Sequence, residues 1–172
     1  MINWISFPRT VRPPEHFRDI VRVFEEKHET IDSENNNLAS NKVLSKLRDG
    51  LEELGYKVEK GKSKDDKVHL PILFGDNGNE EKSFDVDAHN PTNKTIIEVE
   101  AGRAVTNYQF LKDFFEACMI PEVEYLCIAV RNVYQNGPSP SKDFEKVRRF
   151  FNSLYMSERI KVPLHGILII GY

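Results

Sequence analysis

The chain has 172 residues, 40% hydrophobic and 30% charged, with a formal net charge of −3, which is ordinary for one soluble domain with a substantial core. That charge excludes an overall basic coat for nucleic acid but not a local basic groove, because a field depends on how charge is distributed. Cys118 and Cys127 lie in apolar runs without zinc-type spacing, no apolar run approaches a membrane span, and MINWISFPRT lacks the form of a signal peptide; the expectation is reduced thiols, no membrane association and a cytoplasmic location.

In chain order, Pro13 and Pro14 precede EHFRDIVRVFEEKHE, where Phe17, Ile20, Val21 and Phe24 follow helical spacing. The polar patch DSENNN separates this helix from a second, LASNKVLSKLRDGLEELGY, with Val43, Leu47, Leu51 and Leu54 as its stripe and Gly55 as its stop. The stretch from Tyr56 to Phe84 reads as short strands and loops, and its lysine-rich part as a solvated loop. SFDVDAH and TIIEVEA flank the turn-rich NPTN and predict a β-hairpin. A third helix is expected from near Thr106, turning Leu111, Phe114, Phe115 and Cys118 to the core. EYLCIAV reads as a strand covered on both faces.

SPSKDFEKVRRFFNSLY predicts a fourth helix with Ser139 and Pro140 as cap and first-turn pair. Its Phe144, Val147, Phe151 and Leu154 face inward, leaving Lys142, Lys146 and Arg149 outside. HGILIIGY closes the chain as a buried strand. This order of elements suggests an α/β sandwich around a mixed central sheet.

The hairpin carries the chemistry. Glu98 and Glu100 alternate with apolar residues in KTIIEVEAGRA, so on a strand their carboxylates share one face about 7 Å apart. Asp85 and Asp87 alternate around Val86 in the same way. A turn centred on Pro91 and Thr92 places Asp85 opposite Glu98, with Cβ atoms about 5 Å apart. Like charges on an apolar patch need a cation, and an oxygen-rich cluster suits a hard divalent ion such as Mg2+. Asp87 reads equally as a metal ligand or as a hairpin residue near solvent. The bland alternative for the glutamates is an edge strand facing water.

The arrangement FDVDAHNPTNKTIIEVE, followed by a helix and a strand, resembles the PD-(D/E)XK nuclease superfamily over roughly residues 30 to 135. The resemblance implies a restriction endonuclease-like α/β/α sandwich. It divides the single domain 1–172 into an N-terminal helical extension (1–30), a nuclease-like core (31–135), and a C-terminal helix and strand (136–172). It implies a Mg2+-dependent DNA endonuclease (Mn2+ also serving) like a small type II restriction enzyme. Its catalytic residues would be Asp85, Glu98 and Glu100. Asp85 and Glu98 would be the main metal ligands, with Asp87 and Glu34 as further candidates. The third motif position is usually lysine and here is Glu100. A catalytically inactive nuclease-like fold, binding nucleic acid through Lys142, Lys146, Arg148 and Arg149 or binding a protein partner, is therefore the alternative.

Lys94 or Lys112 could supply the displaced positive charge, the bland reading being ordinary surface lysines. Arg103 reads as a phosphate contact or a structural ion pair. Gln109 reads as a counterpart of the glutamine some family members place on this helix, or as the end of a Thr106–Gln109 capping box. His89 beside Asn90 has no partner histidine at suitable spacing, so no His-Asn nuclease site is expected. Double-strand cleavage by a chain with one such motif implies a homodimer. Its contact would be the first helix, unless that helix's apolar stripe packs on its own domain.

Overall fold

The computed structural model describes residues 1–135 and 139–172; the boundary expected after residue 135 falls at the edge of the undescribed stretch. Its elements are β1 (Asn3–Phe7), α1 (Glu15–Ile31), α2 (Ser40–Glu53), β2 (Lys57–Val58), β3 (Val68–Phe74), β4 (Glu80–Val86), β5 (Ala88–Asn90), β6 (Thr95–Glu100), α3 (Gln109–Met119), β7 (Tyr125–Val130), α4 (Asp143–Ser157) and β8 (Gly166–Gly171). Six strands form one sheet in the order β1-β8-β7-β6-β5-β2, and β3 and β4 form a separate two-stranded arm. Strands β6, β7 and β8 run parallel, while β1, β5 and β2 each pair antiparallel with their neighbours. The fold is the mixed α/β sandwich expected from the order of elements. Strand β1 was not legible in NWISF, which is too short and too exposed at its start to show a pattern.

Helices lie on both faces of the sheet, because its central strands are apolar on both sides. On one face α1 and α2 pack Phe17, Ile20, Phe24, Leu47 and Leu51 against Ile97, Val99, Cys127, Ala129, Leu168 and Ile170. On the other, α3 and α4 pack Phe110, Phe114, Val147 and Phe151 against Ile96, Leu126, Ile128, Ile167 and Ile169. Helix α2 stops where Gly55 takes a left-handed φ of 86°, which costs glycine nothing. The α1 stripe, a candidate dimer contact in the sequence, is thus consumed by its own sheet, with Phe17, Ile20 and Phe24 fully buried.

Phe151 touches Phe7, Phe110, Phe114 and Phe150, with ring centroids 5.9, 6.2, 5.4 and 5.4 Å away. Such pairs each add about 0.5–1.5 kcal/mol beyond area burial, and together they clamp α3 onto the sheet. This clamp sets the inner stripe of α3 as Phe110, Asp113, Phe114 and Ala117. Phe115, expected inside, is 56% exposed, and Leu111 and Cys118 are only partly buried. Helix α4 begins later than expected, with Lys142 rather than Ser139 at its cap. Its Phe144, Val147 and Phe151 are buried and Leu154 partly so. No helix among the described residues is long and apolar enough to cross a membrane.

The two readings of α1 separate on one substitution. Ile20→Asp puts a charge into a fully buried site, which costs several kcal/mol. The expected outcome is loss of the cooperative thermal transition in circular dichroism. A well-folded monomer would instead mark the stripe as an interface.

Candidate active site

The hairpin register differs from the expected one by two residues. Ala88 pairs with Ile97, His89 with Ile96 and Asn90 with Thr95, so the turn centres on Thr92 and Asn93. The cause is Asn90, whose Oδ1 accepts the N–H groups of Thr92 (2.9 Å) and Asn93 (3.2 Å). Lys94 then closes the four-residue turn in a left-handed conformation, φ 54°. Asn90 Nδ2 also donates to the Leu54 carbonyl at 2.9 Å. Asn90 is therefore a turn and anchoring residue.

This register brings Asp87, not Asp85, to Glu98. Asp87 is the single residue between the arm strand β4 and β5. Its Oδ2 accepts the N–H of Val99 at 2.7 Å, replacing the ladder bond that β5 would otherwise supply. Asp85 lies on the exposed arm opposite His69. There its Oδ1 is 3.1 Å from His69 Nδ1, while His69 Nε2 lies 2.6 Å from Glu80. Those hydrogen bonds, first that with Glu80 and then that with Asp85, raise the His69 pKa.

Glu98 and Glu100 project from β6 on the side of Ile96, toward α3. Strand β6 sits inside the sheet between β5 and β7, so the edge-strand reading does not hold. Glu98 is buried, and desolvation, followed by the charges of Asp87 and Asp113, raises its pKa well above the usual carboxylate range. Desolvation lifts Asp87 to about 6 against the opposing Val99 hydrogen bond. Desolvation and then the charge of Asp87 lift Glu100 to about 7. Two unit charges about 7 Å apart repel by about 2 kcal/mol at an effective dielectric constant near 20, or under two pKa units. Repulsion alone therefore falls short of the rise at Glu100, and burial leads.

The sequence reading missed Asp113. It is 4% exposed, lies within hydrogen-bonding reach of Glu100, and is lifted to about 8 by desolvation and then by the Glu100 charge. Its Oδ2 is buried without a hydrogen-bond partner. The available signal was an acid at an inward helical position between Phe110, Phe114 and Ala117. Among the described residues no lysine or arginine is ion-paired with Asp87, Glu98 or Glu100. Lys112 is the nearest approach: its Nζ is 2.9 Å from Glu116 and 4.0 Å from Asp113, and its charge lowers all four carboxylate pKa values.

The other expected residues are scattered. Glu34 is exposed in the turn before α2, where its N–H donates to Asp32 at 3.1 Å. Arg103 is exposed beyond β6 and lowers the Glu100 pKa by its charge. It follows Gly102, whose φ of 106° and close approach to Tyr134 leave no room for a Cβ. Gln109 is half-buried as the first residue of α3, and that helix is capped by a left-handed Tyr108 without any side-chain cap bond; the expected capping box is absent. Lys94 is ion-paired with Glu124, an ordinary surface lysine. Arg148 is ion-paired with Glu145 at 2.6 Å, and Lys146 Nζ donates to Ser141 at 2.8 Å.

Lys112 also lines a cleft of about 520 Å³, with Lys62, Lys64, Lys67, His69, Asp85 and Glu116 among its other walls; Asp87, Glu98, Glu100 and Asp113 lie behind Lys112 and do not line it. The lysine-rich stretch read as a solvated loop thus walls a cleft. Among the described residues no three histidine, cysteine, aspartate or glutamate side chains form a ready-made ion site. The acids sit near one another, but not in the closed cage of a structural metal.

No protein-family model and no curated protein matches this sequence. Solved structures do match in fold, two of BglII among them. One is the restriction endonuclease BglII complexed with a DNA 16-mer, with a TM-score of 0.54 and 16% identity over 99% of this chain and 75% of that one. The other is free BglII, with a TM-score of 0.51 and 13% identity over 99% and 78%. At these identities the likeness is one of fold, and the chain has a restriction endonuclease-like fold.

Carboxylates with raised pKa values retain, when folded, protons that the unfolded chain has released. Their contribution therefore favours folding near the ordinary carboxylate pKa and is lost as pH rises through about 6 to about 8. In EDTA, the melting temperature of Glu98→Gln should gain on the wild type between about pH 5 and about pH 8, by several degrees for a domain of this size. A pH-independent difference would show that the cluster carries no such strain.

Proposed function

We propose that this protein is a divalent-metal-dependent DNA endonuclease that hydrolyses phosphodiester bonds in the manner of a small type II restriction enzyme. The carrying observation is that Asp87, Glu98 and Glu100, gathered by the hairpin, have no ion-paired lysine or arginine among the described residues, while Lys112 links their neighbour Asp113 to a lysine-lined cleft. The fold likeness to BglII supports the same reading. In this proposal the PD-(D/E)XK motif is carried by Asp87, Glu98 and Glu100, with glutamate in the lysine position.

The donor set fits magnesium, which takes one or two carboxylates and leaves other positions to water and substrate phosphate. The raised carboxylate pKa values and the orphaned Asp113 oxygen mark a site short of positive charge. Asp87 and Glu98 would hold the ion, which when bound supplies charge neutralisation at the phosphate and an acidified water. Glu100 and Asp113, lifted to about 7 and about 8, are poised to exchange a proton near neutral pH. Lys62, Lys64, Lys67 and Lys112 line the cleft and would draw in the phosphate backbone. One cluster of this kind cuts one strand, so double-strand scission would require a homodimer using a surface other than the α1 stripe.

A second reading, a nuclease-like module that binds without cutting, draws on the lack of a ready-made ion site among the described residues. Incubation with plasmid DNA and Mg2+ or Mn2+ separates the two. The nuclease reading expects cleavage that falls at least about a hundredfold in Glu98→Ala and Asp87→Asn, with Asp85→Asn within a few-fold of wild type. Binding without hydrolysis in either ion, or cleavage indifferent to Glu98→Ala, would leave only the binding module. Light scattering with and without DNA tests the dimer, and a strict monomer would restrict the activity to nicking.

A further inference from the structure

A second groove of about 320 Å³ runs between α2 and the chain that follows β2. Lys42 and Arg48 line it from α2, Lys60, Lys62 and Lys67 line it from the opposite wall, and Glu59 is its one carboxylate. Lys62 and Lys67 also line the larger cleft, so the two depressions adjoin at these lysines. Glu59 is already neutralised by Lys67 Nζ at 2.9 Å. Arg48 is held in place by donating from Nη2 to the Glu59 carbonyl at 3.1 Å. Its Nε is buried and has no partner. Among the described residues neither Lys42, Arg48 nor Lys62 is ion-paired. Lys60 is paired with Glu52 at 3.4 Å on the exposed surface, so a chain of net charge −3 has gathered three cations without an ion pair, and an orphaned guanidinium N–H, along one trough.

We propose that this groove is a second phosphate-binding site, which holds the nucleic-acid backbone to one side of the carboxylate cluster and sets how the strand runs into it. The inference rests on the nucleic-acid reading above and adds a binding site distinct from the reacting centre. The chemistry is that of a phosphodiester: Arg48 offers a fixed planar donor, and mobile lysines on both walls offer point charges without base-reading geometry. A free phosphate would satisfy one end of the trough only. A strand satisfies the groove and the cleft together, because the shared lysines leave no break in positive charge between them. Contacts of this kind are sequence-independent and release counterions, so their signature is salt dependence.

Anisotropy of a fluorescein-labelled, mixed-sequence DNA duplex, measured in EDTA over a range of chloride concentrations, provides the test. For the double variant Lys42→Gln/Arg48→Gln, the slope of log K against log salt should fall by about 2, with binding roughly tenfold or more weaker at low salt. Because Arg48 also bonds backbone, Lys42→Gln/Lys60→Gln changes only exposed side chains and should show the same direction. A slope unchanged in both variants overturns the proposal, even if the protein cleaves DNA. A reduced slope in a protein that never cleaves upholds the groove and defeats the nuclease reading alone. Inorganic phosphate at matched ionic strength distinguishes the remaining source. If it displaces the duplex from the wild type but not from Lys42→Gln/Arg48→Gln, the groove holds a single phosphate and the strand-binding proposal fails.

Discussion

The hydrogen bond from the Val99 amide to the Asp87 carboxylate organises this molecule. It stands where β5 has parted from β6, and it satisfies a backbone donor that the sheet no longer reaches. A buried amide left unpaired there would cost about 1–3 kcal/mol, so the strands can diverge at this point only because a side chain takes the place of a strand. Once they diverge, β3 and β4 leave the main sheet as an arm, and the space between the arm, the chain before it and α3 becomes the cleft. The same carboxylate is one of the acids gathered beside Glu98. Fold and site therefore share an atom, and changing Asp87 perturbs both.

The acids are tolerated because their surroundings are rigid and their charge can be lowered by protonation. Glu98 and Asp113 are buried on an apolar face, where full ionisation would be costly. Raised pKa values reduce that cost near neutral pH, and a bound cation would remove more of it. The aromatic group around Phe151 holds α3 against this repulsion. Two of its members, Phe110 and Phe114, flank Asp113 on the helix that the cluster would otherwise push away. Stability is concentrated beside the site because the site itself opposes it, as expected where function sets the electrostatics.

Much of this was legible in the residues. The alternation of Glu98 and Glu100 with isoleucine and valine placed both acids on one face, and the apolar runs at residues 124–130 and 165–172 marked central strands. What failed was governed by interactions that a linear pattern does not carry. The hairpin slipped by two residues because the side chain of Asn90 chose the turn, and with it Asp87 took the place expected for Asp85. The inner face of α3 rotated because Phe110 found Phe150 and Phe151 from α4, which hid Asp113 in what looked like a solvent position. Lys62, Lys64 and Lys67 read as a solvated loop because lysines that line a cleft and lysines on a surface have the same local sequence. Only the pairing of β3 with β4 brings them to face Lys112 of α3 across the cleft.

The charge pattern that results is a division of labour within an acidic protein. Negative groups are sunk into the sheet, where protonation or a small cation can compensate them. Positive groups stand on the exposed stretch after β2 and on α2, open to a polyanion. Reversing the two would fail on physical grounds. Lysines in place of all four acids would be buried without counterions, and carboxylates along the trough would repel phosphate over the Debye length of about 8 Å. On the proposed function, burial of one sign and display of the other would let the trough attract a strand that the carboxylates alone would reject. It also leaves the acids short of a cation until a metal or a proton arrives. On this argument, attraction and chemistry are separable functions of two neighbouring depressions, joined at Lys62 and Lys67.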